Sequence, residues 1–573
     1  MKGVISVFPS EEFHIQTTRS WDFLGLRQSI KRDQIIETDL VIGVIDIRIW
    51  PESESFNDKG LGPIPKKWRG VCAGGGNFSC NNKIIGARFY GDGDVSARYS
   101  FGHRTHTAST AGGREVEDVS FYGFAKGTAR GGVPSSRIAA YKICGDIDNG
   151  RCSGDAILAA FDDAISDGVD VITVSLGPEH ASDFLNDPIA IGSFHAMEKG
   201  ILTTQAAGNF GPIPSSVCSG APWLVSVAAT SIDRQFIDKV ILGNGKTFVG
   251  KSINITPSNG KKIPIAVRNA QACLAGGNAS PEMCDCIDEN MVKGKLVLCG
   301  SRNGKDLAYA NGAIGSIHNV TKSQLGASFV TPRPSLNLKT NDFVHIQSYT
   351  NSNISVPGVE ILAAYSPLAS PSYDIIDKRQ VKYTINSGTS TSCPHVAGVV
   401  AYVKSFHPDW SPAAIKSAIM TTTKPVKGHY DDLAGEFAYG SGNINPQQAI
   451  HPGLVYDITK QDYVQMLCDY DINYPAMVIP VHKHFNVKIH RTVTNVGFLN
   501  STYKTTLIHH NSKIKISVEP KLLSFKSLHE KKSFVVTVIG EAKSNHTVFS
   551  SSLIWSDGTY NVKSPIIVQR LSR

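Results

Sequence analysis

The sequence predicts an α/β protein built on a parallel sheet, followed by an antiparallel β-sandwich. Between residues 18 and 234, apolar strand-like runs such as residues 169–174 alternate with helical stretches such as residues 156–165. This alternation is typical of parallel sheets, whose strands are joined by helices. Beyond about residue 480, apolar residues recur with a period of two, which predicts antiparallel strands with one buried face. Examples are Ile514, Ile516, Val518, Phe534, Val536 and Val538.

Length and composition describe a multidomain globular chain. Its 573 residues are enough for several domains, and a 41% share of hydrophobic residues supplies their cores. The net charge of +8 is spread thinly, without a Lys/Arg block that would indicate a nucleic-acid partner. No apolar run approaches the ~18 residues of a membrane span, and the opening MKGVI lacks the apolar segment of a signal peptide. We therefore expect no nucleic-acid partner and no membrane partner.

Cysteines and glycosylation sequons indicate an oxidising, secretory route. The chain has 11 cysteines. The close pairs Cys72 with Cys80 and Cys144 with Cys152 are predicted disulfides that close short loops. An odd count leaves at least one thiol free, and Cys393 is the candidate. Sequons of the form Asn-x-Ser/Thr accept N-glycans, and they lie at Asn77, Asn254, Asn278, Asn319, Asn353, Asn500 and Asn545.

A turn of small residues at 386–398, NSGTSTSCPHVAG, is the candidate nucleophile segment. It runs into an apolar stretch at residues 396–403 without strand-like alternation, which predicts a buried helix. Pro394 is expected in the first helical turn, where its missing N–H costs nothing. A hydroxyl in this turn, such as that of Ser390, would face the positive end of a helix dipole, which stabilises a developing oxyanion.

Three upstream segments supply what a serine nucleophile needs: a base, a carboxylate that orients the base, and an oxyanion donor. Residues 41–46, VIGVID, end in Asp46, as expected of a buried strand that delivers a carboxylate. His103 precedes a stretch of small residues, and Asn209 ends the segment AAGN. Taken singly, these residues are also explained as a capping Asp, a core His and a turn Asn. Their order, with Ser390 last, predicts a catalytic set.

The same segments resemble those of plant subtilisin-like serine proteases, the cucumisin-like subtilases. The order Asp, His, Asn, Ser is that of the family, and the resemblance covers essentially the whole chain. Further similar segments are WPES at residues 50–53, GTARGGVP at 127–134, SLG at 175–177 and RTVTNVG at 491–497.

The resemblance implies a serine endopeptidase that hydrolyses peptide bonds in polypeptide substrates. Ser390 would be the nucleophile and His103 the base, with Asp46 as the carboxylate that orients the base. Asn209 would donate to the oxyanion. No cofactor is implied, and neither the cysteine nor the histidine spacing forms a set of metal ligands.

The resemblance also implies a subtilisin-like catalytic domain interrupted by an inserted domain. Residues 1–17 resemble the end of the family's inhibitory propeptide, with a simple N-terminal arm as the alternative. Residues 18–235 and 354–475 would form the two parts of the catalytic domain. Residues 236–353 resemble the inserted protease-associated (PA) domain, and residues 476–573 resemble the family's C-terminal fibronectin III-like domain.

Substrate and partner predictions follow from the same resemblance. Ser175, Leu176 and Gly177 resemble the segment that pairs with an extended substrate peptide. Pro178 stands where the family usually has glycine, and proline removes a backbone donor. The chain's own propeptide would inhibit it, and the PA domain would govern substrate access or form a homodimer contact, with a passive spacer as the alternative. The family implies secretion to the cell wall.

Three departures from the family pattern bear on activity. Arg48 follows the acid and Arg104 follows the base, each at a family glycine position, and the join after Asn353 omits a family segment. Glycine is needed where φ is positive or where another chain passes closely. A forced left-handed φ would cost about 1–2 kcal/mol per arginine, and a nearby guanidinium would disfavour the imidazolium. We expect severely reduced peptidase activity; the alternative is that both arginines point to solvent.

Two further interpretations belong to other classes. The first is a catalytically inactive, subtilase-like secreted glycoprotein that acts as a binding or interaction module. The two arginines and the short join after Asn353 favour it, because each disturbs a part of the catalytic domain. The second is a truncated product that does not fold. Labelling of Ser390 by an active-site reagent separates the enzyme from the binding module.

Overall fold

Three groups of strands make up the fold: a parallel sheet, a mixed sheet inserted into its sequence, and a pair of C-terminal sheets. The predicted propeptide remnant at residues 1–17, Arg48 and the join after Asn353 lie outside the described residues. The computed structural model describes residues 19–47, 49–90, 96–98, 103–144, 152–178, 182–209, 216–241, 247–255, 263, 265–267, 292–299, 309–320, 328, 330–339, 359–372, 377–425, 440–466, 471–509, 514–542 and 548–570.

The first eight strands form a six-stranded parallel sheet and a separate hairpin. They are β1 (Val41–Asp46), β2 (Ile84–Phe89), β3 (Val116–Phe121), β4 (Phe124–Ala129), β5 (Arg137–Lys142), β6 (Val171–Val174), β7 (Leu202–Ala206) and β8 (Val225–Val227). The sheet has the order β2–β5–β1–β6–β7–β8, and each neighbouring pair is parallel. This confirms the predicted α/β fold. Its carboxyl edge is where ligands bind in such sheets.

Helices cover both faces of the parallel sheet. Ile42 and Val44 of β1 face the core under α3 and α6, whereas Val41 and Ile45 face the core under α4 and α5. No helix of the described residues is long and apolar enough to cross a membrane. The helices are α1 (Ser20–Phe23), α2 (Gln34–Asp39), α3 (His103–Gly112), α4 (Gly154–Asp167), α5 (Pro188–Glu198), α6 (Thr389–Phe406), α7 (Pro412–Thr421), α8 (Pro446–Ala449) and α9 (Lys460–Met466).

Local signals explain where α7 starts. Ser411 is its N-cap, and the Ser411 hydroxyl accepts a hydrogen bond from the Ala414 N–H at 3.0 Å. Pro412 occupies the first helical position, where a missing N–H removes no helical hydrogen bond. The serine cap followed by proline therefore accounts for where α7 begins.

Helices α3 and α6 approach each other closely at Gly398. A Cβ at Gly398 would lie 3.0 Å from the Ala111 carbonyl oxygen on α3 and 2.9 Å from Cη2 of Trp21. The Trp21 side chain is buried at this crossing, and its ring centroid lies 4.7 Å from that of His395 on α6. Only glycine leaves room for this approach.

The inserted sheet comes between β8 and α6 in sequence. Its strands are β9 (Ile237–Ile241), β10 (Thr247–Lys251), β11 (Ile265–Val267), β12 (Leu296–Cys299), β13 (Gly315–Val320) and β14 (Ser335–Lys339). The order is β11–β12–β13–β14–β10–β9, with β11 to β14 parallel and the remaining pairs antiparallel. The sheet has its own apolar cluster around Ile317 and Leu338. It lies in the region predicted to be a PA domain, and that identity stays a prediction.

Two hairpins lie between the inserted sheet and helices α3 and α6. β15 (Ile361–Ala364) pairs antiparallel with β16 (Tyr383–Asn386), and the end of β16 leads directly into α6. An apolar cluster joins Phe236 and Val330 of the inserted region to Leu362 of β15 and Phe121 of the β3–β4 hairpin.

The C-terminal strands form two packed sheets, which confirms the predicted β-sandwich. One sheet has the order β17–β19–β23–β21, and the other β18–β25–β24–β20–β22; all neighbours are antiparallel except β18 and β25. Trp555 and Phe534 lie in the shared core. The strands are β17 (Leu454–Val455), β18 (Met477–Val481), β19 (His484–Asn495), β20 (Thr502–His509), β21 (Ile514–Glu519), β22 (Leu522–Ser524), β23 (Lys531–Glu541), β24 (Val548–Ser556) and β25 (Asn561–Arg570).

The sandwich is attached to the residues that precede it. Strand β17 belongs to a sandwich sheet, although its sequence lies in the region 354–475 predicted for the catalytic domain. The Tyr456 hydroxyl lies 2.8 Å from the Ser564 hydroxyl of β25. Asn473 donates to the backbone carbonyls of Asp457 and Thr492. The Tyr456–Ser564 and Asn473–Thr492 hydrogen bonds, together with β17, therefore join the two units.

Cysteine pairing follows the prediction. Cys72 is bonded to Cys80, and Cys144 is bonded to Cys152. Cys393 is a free, fully buried thiol on α6. A second free buried thiol, that of Cys218, was not predicted.

The helix crossing yields a stability prediction. Gly398→Ala should lower the free energy of unfolding by about 1–3 kcal/mol, because the new methyl group would overlap a backbone carbonyl and a buried ring. Gly154→Ala is the matched control, since a Cβ at Gly154 meets nothing closer than 3.6 Å. Urea denaturation of both variants measures the difference, and equal stabilities would contradict the close approach.

Candidate active site

Strand β1 delivers Asp46 to the carboxyl edge of the parallel sheet. The Asp46 side chain is 1% exposed. Its Oδ1 accepts a hydrogen bond from the Ile47 N–H at 2.7 Å, and its Oδ2 accepts one from the Thr107 hydroxyl at 2.9 Å. These donors compensate the carboxylate for the loss of water.

His103 is the first residue of α3 and binds Asp46 through its ring. Its Nδ1 lies 3.0 Å from Oδ1 and 3.2 Å from Oδ2 of Asp46. Because a carboxylate only accepts, Nδ1 carries the proton, and a neutral ring then leaves Nε2 as an acceptor. The His103 side chain is 21% exposed, so one part of the ring reaches the surface.

Each member of this pair shifts the pKa of the other. Burial acts to raise the pKa of Asp46, but the charge and hydrogen bond of His103 outweigh it and hold that pKa below 3.8. Burial acts to lower the pKa of His103, but the charge and hydrogen bond of Asp46 outweigh it and hold that pKa above 6.5. The pair therefore favours the ionised carboxylate and a basic imidazole.

Ser390 is the second residue of α6, which begins at Thr389. The prediction that Pro394 lies in the first helical turn is wrong, because Pro394 is the sixth residue of the helix. Proline lacks the N–H that would bond the carbonyl four residues earlier, which is that of Ser390. The Ser390 carbonyl instead accepts a hydrogen bond from the Ser175 hydroxyl at 3.0 Å.

Asn209 lies beside the start of α6 with its amide orientation fixed. Its Oδ1 accepts hydrogen bonds from the Thr389 N–H at 2.9 Å and the Thr389 hydroxyl at 3.1 Å. Since the backbone N–H can only donate, the oxygen must face it and Nδ2 is the outward donor. A Cβ at Gly388 would lie 3.4 Å from the Ser390 Oγ and 3.5 Å from the Asn209 Nδ2. The two side chains therefore flank the same small space.

Ser175, Leu176 and Gly177 follow β6 at the same edge of the sheet. The Leu176 carbonyl lies 3.5 Å from Nε2 of Gln205 on β7. A Cβ at Gly177 would lie 2.5 Å from the Cys218 Sγ, so the buried thiol packs directly against this segment.

Arg104 is fully buried, which overturns the alternative that it points to solvent. It lies inside α3 and has no positive φ, so the predicted left-handed strain at this position is wrong. Its guanidinium donates to the Val44 carbonyl on β1. Burial lowers its pKa to about 10, while Asp46 acts against this shift. Among the described residues, its Nε and Nη1 have no hydrogen-bond partner.

Sequence reasoning missed two contributors to the site. Thr107 lies four residues after His103, the spacing that places two side chains on one helix face, so a search for helical neighbours of His103 would have found it. Cys218 had no comparable signal, because only the tertiary fold brings it to Gly177. The described residues contain no group of three or more His, Cys, Asp or Glu that could hold a metal ion.

The chain belongs to the subtilase family. The family model described as "Subtilase family" matches residues 37–442, and the one described as "Fibronectin type-III domain" matches residues 471–568. The chain is thus a subtilisin-like serine protease by family, with a C-terminal fibronectin III domain.

Curated relatives are similar over nearly the whole chain. Subtilisin-like protease SBT4.3 of Arabidopsis thaliana is 48% identical, covering 99% of this chain and 86% of the relative. Subtilisin-like protease SBT4.13 of the same plant is 46% identical, covering 99% and 87%. Their alignments extend over 640 and 643 positions, more than the 573 residues of this chain, so both relatives have internal residues that this chain lacks.

A solved structure is also similar. It is that of Apa1, a psychrophilic subtilisin-like protease from the Antarctic psychrotroph Pseudoalteromonas sp. AS-11, at 16% identity and a TM-score of 0.39. The match covers 76% of this chain and 97% of that one. The family assignment does not depend on it.

The coupled pKa values predict how stability depends on pH. Because the pKa of Asp46 is lowered in the folded protein, its carboxylate stabilises the fold above pH 3.8. This stability is lost as the pH falls through the pKa that Asp46 has in the folded protein. Because the pKa of His103 is raised in the folded protein, its imidazolium stabilises the fold fully below pH 6.5. This stability is lost as the pH rises through the pKa that His103 has in the folded protein. Asp46→Asn should therefore destabilise the protein most between pH 3.8 and 6.5.

Urea denaturation across and beyond this window measures the effect. Asp118→Asn is the control, because its side chain is 83% exposed and it should show no such maximum. A loss of stability that is equal at every pH would contradict the pairing of Asp46 with His103.

Proposed function

We propose that the chain is a serine endopeptidase that hydrolyses peptide bonds in proteins through Asp46, His103 and Ser390. The observation that carries the proposal is the buried Asp46 carboxylate at 3.0 Å from the His103 ring, in a chain of the subtilase family. The hydroxyl of Ser390 would attack the scissile carbonyl. Nε2 of His103 would accept the hydroxyl proton and later donate it to the leaving amine.

Asp46 would hold the imidazole in the tautomer that this step requires. The carboxylate fixes the proton on Nδ1 and stabilises the imidazolium that forms, without taking a proton itself. The hydrogen bonds from Ile47 and Thr107 hold both carboxylate oxygens in place. The carboxylate can therefore orient the ring without rotating away from it.

The oxyanion would be bound by Nδ2 of Asn209 and the backbone N–H of Ser390. The bonds from Thr389 to Oδ1 support this role, because they turn Nδ2 toward the space beside Ser390. Because Ser390 is the second residue of α6, the positive end of the helix dipole would also stabilise the oxyanion. Loss of one such donor typically costs about 10²–10³ in rate.

Residues 175–177 would bind the substrate as an added, extended strand. They follow β6, and the bond from Ser175 to the Ser390 carbonyl links this segment to the nucleophile helix. Pro178 removes one donor from the segment, which weakens pairing at that position.

The remaining assignments depend on the family. Residues 236–353 would be a PA domain that governs substrate access or forms a homodimer contact. Residues 1–17 would be the remnant of an inhibitory propeptide. The two disulfides support folding in an oxidising compartment, and we propose secretion to the cell wall.

A second candidate function is an inactive, subtilase-like interaction module. The observation that favours it is the buried Arg104, whose charge acts on Asp46 from within the core. A buried cation that stabilises the Asp46 carboxylate also opposes formation of the His103 imidazolium during catalysis. The internal residues that both relatives have and this chain lacks favour it as well.

Labelling by a fluorophosphonate separates the two candidates. We expect slow but measurable modification of Ser390, since the nucleophile, base and carboxylate are all present. Ser390→Ala should abolish the label, whereas Ser392→Ala, which changes a buried serine in the same turn, should retain it. Peptide mapping locates the adduct, and absence of any label on the folded chain would favour the interaction module.

Arg104 should be a major cause of the slow rate. Arg104→Gly restores the family residue and should raise kcat/KM by roughly 10- to 1000-fold, as expected when a unit charge near the imidazolium is removed in a medium of dielectric near 20. The exposed Arg27 provides the control, because Arg27→Gly should leave kcat/KM unchanged.

The measurement is a progress curve on one peptide substrate, with the double variant of Arg48→Gly and Arg104→Gly alongside. Full activity of the unmodified chain would contradict the prediction. If kcat/KM does not rise in the double variant, the loss of activity is assigned instead to the family segment that is omitted after Asn353.

A further inference from the structure

Glu360 lies at the junction between the inserted sheet and the catalytic helices. It is 1% exposed and immediately precedes β15. Its Oε1 accepts a hydrogen bond from the Ser328 N–H at 2.9 Å and lies 2.7 Å from the Ser328 hydroxyl and 3.7 Å from Lys251 Nζ. Its Oε2 accepts from the Phe236 N–H at 3.2 Å. All of these partners belong to the inserted region.

The backbone around Glu360 contacts both halves of the proposed active site. The Glu360 N–H donates to the Ser387 hydroxyl at 2.8 Å, three residues before Ser390. The next carbonyl, that of Ile361, lies 2.9 Å from Nε2 of His106. His106 is on α3, one turn after His103. One short segment therefore touches the nucleophile turn and the helix that carries the base.

Burial makes this junction stiff. A buried carboxylate cannot give up its donors without a large loss of solvation, so the side chain must follow the inserted region if that region shifts. Glu360 also has a φ of 61°, which L-residues other than Asn and Asp rarely adopt. Such a conformation persists only where surrounding contacts hold it. A change in those contacts would therefore alter the backbone that contacts Ser387 and His106.

We propose that Glu360 is a positioning residue through which the inserted region controls the nucleophile turn. This rests on the proposed function, since it assigns a regulator to that same site. A shift of the inserted region that displaces Ser328 or Phe236 relative to Glu360 would therefore change reactivity at Ser390. By reciprocity, occupation of Ser390 must change the stability of the contacts between Glu360 and the inserted region.

The first experiment compares rates of fluorophosphonate labelling at Ser390. Glu360→Gln, which puts an NH₂ group against a backbone donor, should slow labelling by about tenfold, the effect expected for one lost charge-assisted hydrogen bond. Ser387→Ala removes the neutral bond from the Glu360 N–H and should slow labelling by about fivefold. Glu37→Gln is the matched control, because Glu37 is also a fully buried carboxylate, paired with Arg32. It should lower thermal stability without slowing labelling of the folded fraction. Equal rates in all four proteins would overturn the inference.

The second experiment needs no activity. Amide hydrogen exchange of Ser328→Ala should be faster at Thr389 and Thr391, whose N–H groups bond Asn209 and the Gly388 carbonyl. Amides in the middle of β1 should be unchanged. If the unmodified chain does not label, the proposed activity fails, and this exchange measurement alone decides the inference. Unchanged exchange at Thr389 and Thr391 would overturn it.

Discussion

The close packing of α3 against α6 is the constraint on which the site depends. The candidate base starts one helix and the candidate nucleophile lies at the start of the other, so their separation is set by how the two helices cross. At the crossing, Gly398 lets the α6 backbone approach the Ala111 carbonyl, and Trp21 fills the remaining space. The first residue of α3 contacts Asp46 at the end of β1, and the first residue of α6 contacts Asn209 beyond the end of β7, so both N-termini lie at the carboxyl edge of the sheet.

The electrostatics of this core are unbalanced. Asp46 has a donor or a ring nitrogen at each oxygen, so its charge is well compensated. Arg104 has one carbonyl acceptor for a guanidinium that offers five donors. A buried charge with this few partners is costly, and the nearby carboxylate offsets part of that cost. The Asp46 carboxylate also stabilises the protonated ring of His103, so the Arg104 guanidinium and the His103 imidazolium compete for one carboxylate.

Local patterns predicted the elements, whereas tertiary contacts decided the details. Strand β1 with Asp46 at its end, α7 with its Ser411 cap and both short disulfides were predictable, because neighbouring residues determine each of them. The burial of Arg104 was not, since it depends on a carbonyl of an adjacent strand. At the start of α6, the Thr389 N–H donates to Asn209, which lies in a loop far away in the sequence. The start of the helix, and with it the position of Pro394, therefore depends on a tertiary contact. The Glu360 junction joins segments that no local pattern relates.

The N-terminal segment carries a consequence for synthesis on the ribosome. Trp21 packs against α6, and the Gly25 carbonyl accepts a hydrogen bond from Gln447, a residue 422 positions later in the sequence. Contacts this distant in sequence form slowly and cannot form until most of the chain has been made. Trp21 and Gly25 must therefore wait without these partners while the inserted sheet is translated. Chaperone occupancy of the nascent chain should accordingly last until α6 and α8 have left the exit tunnel.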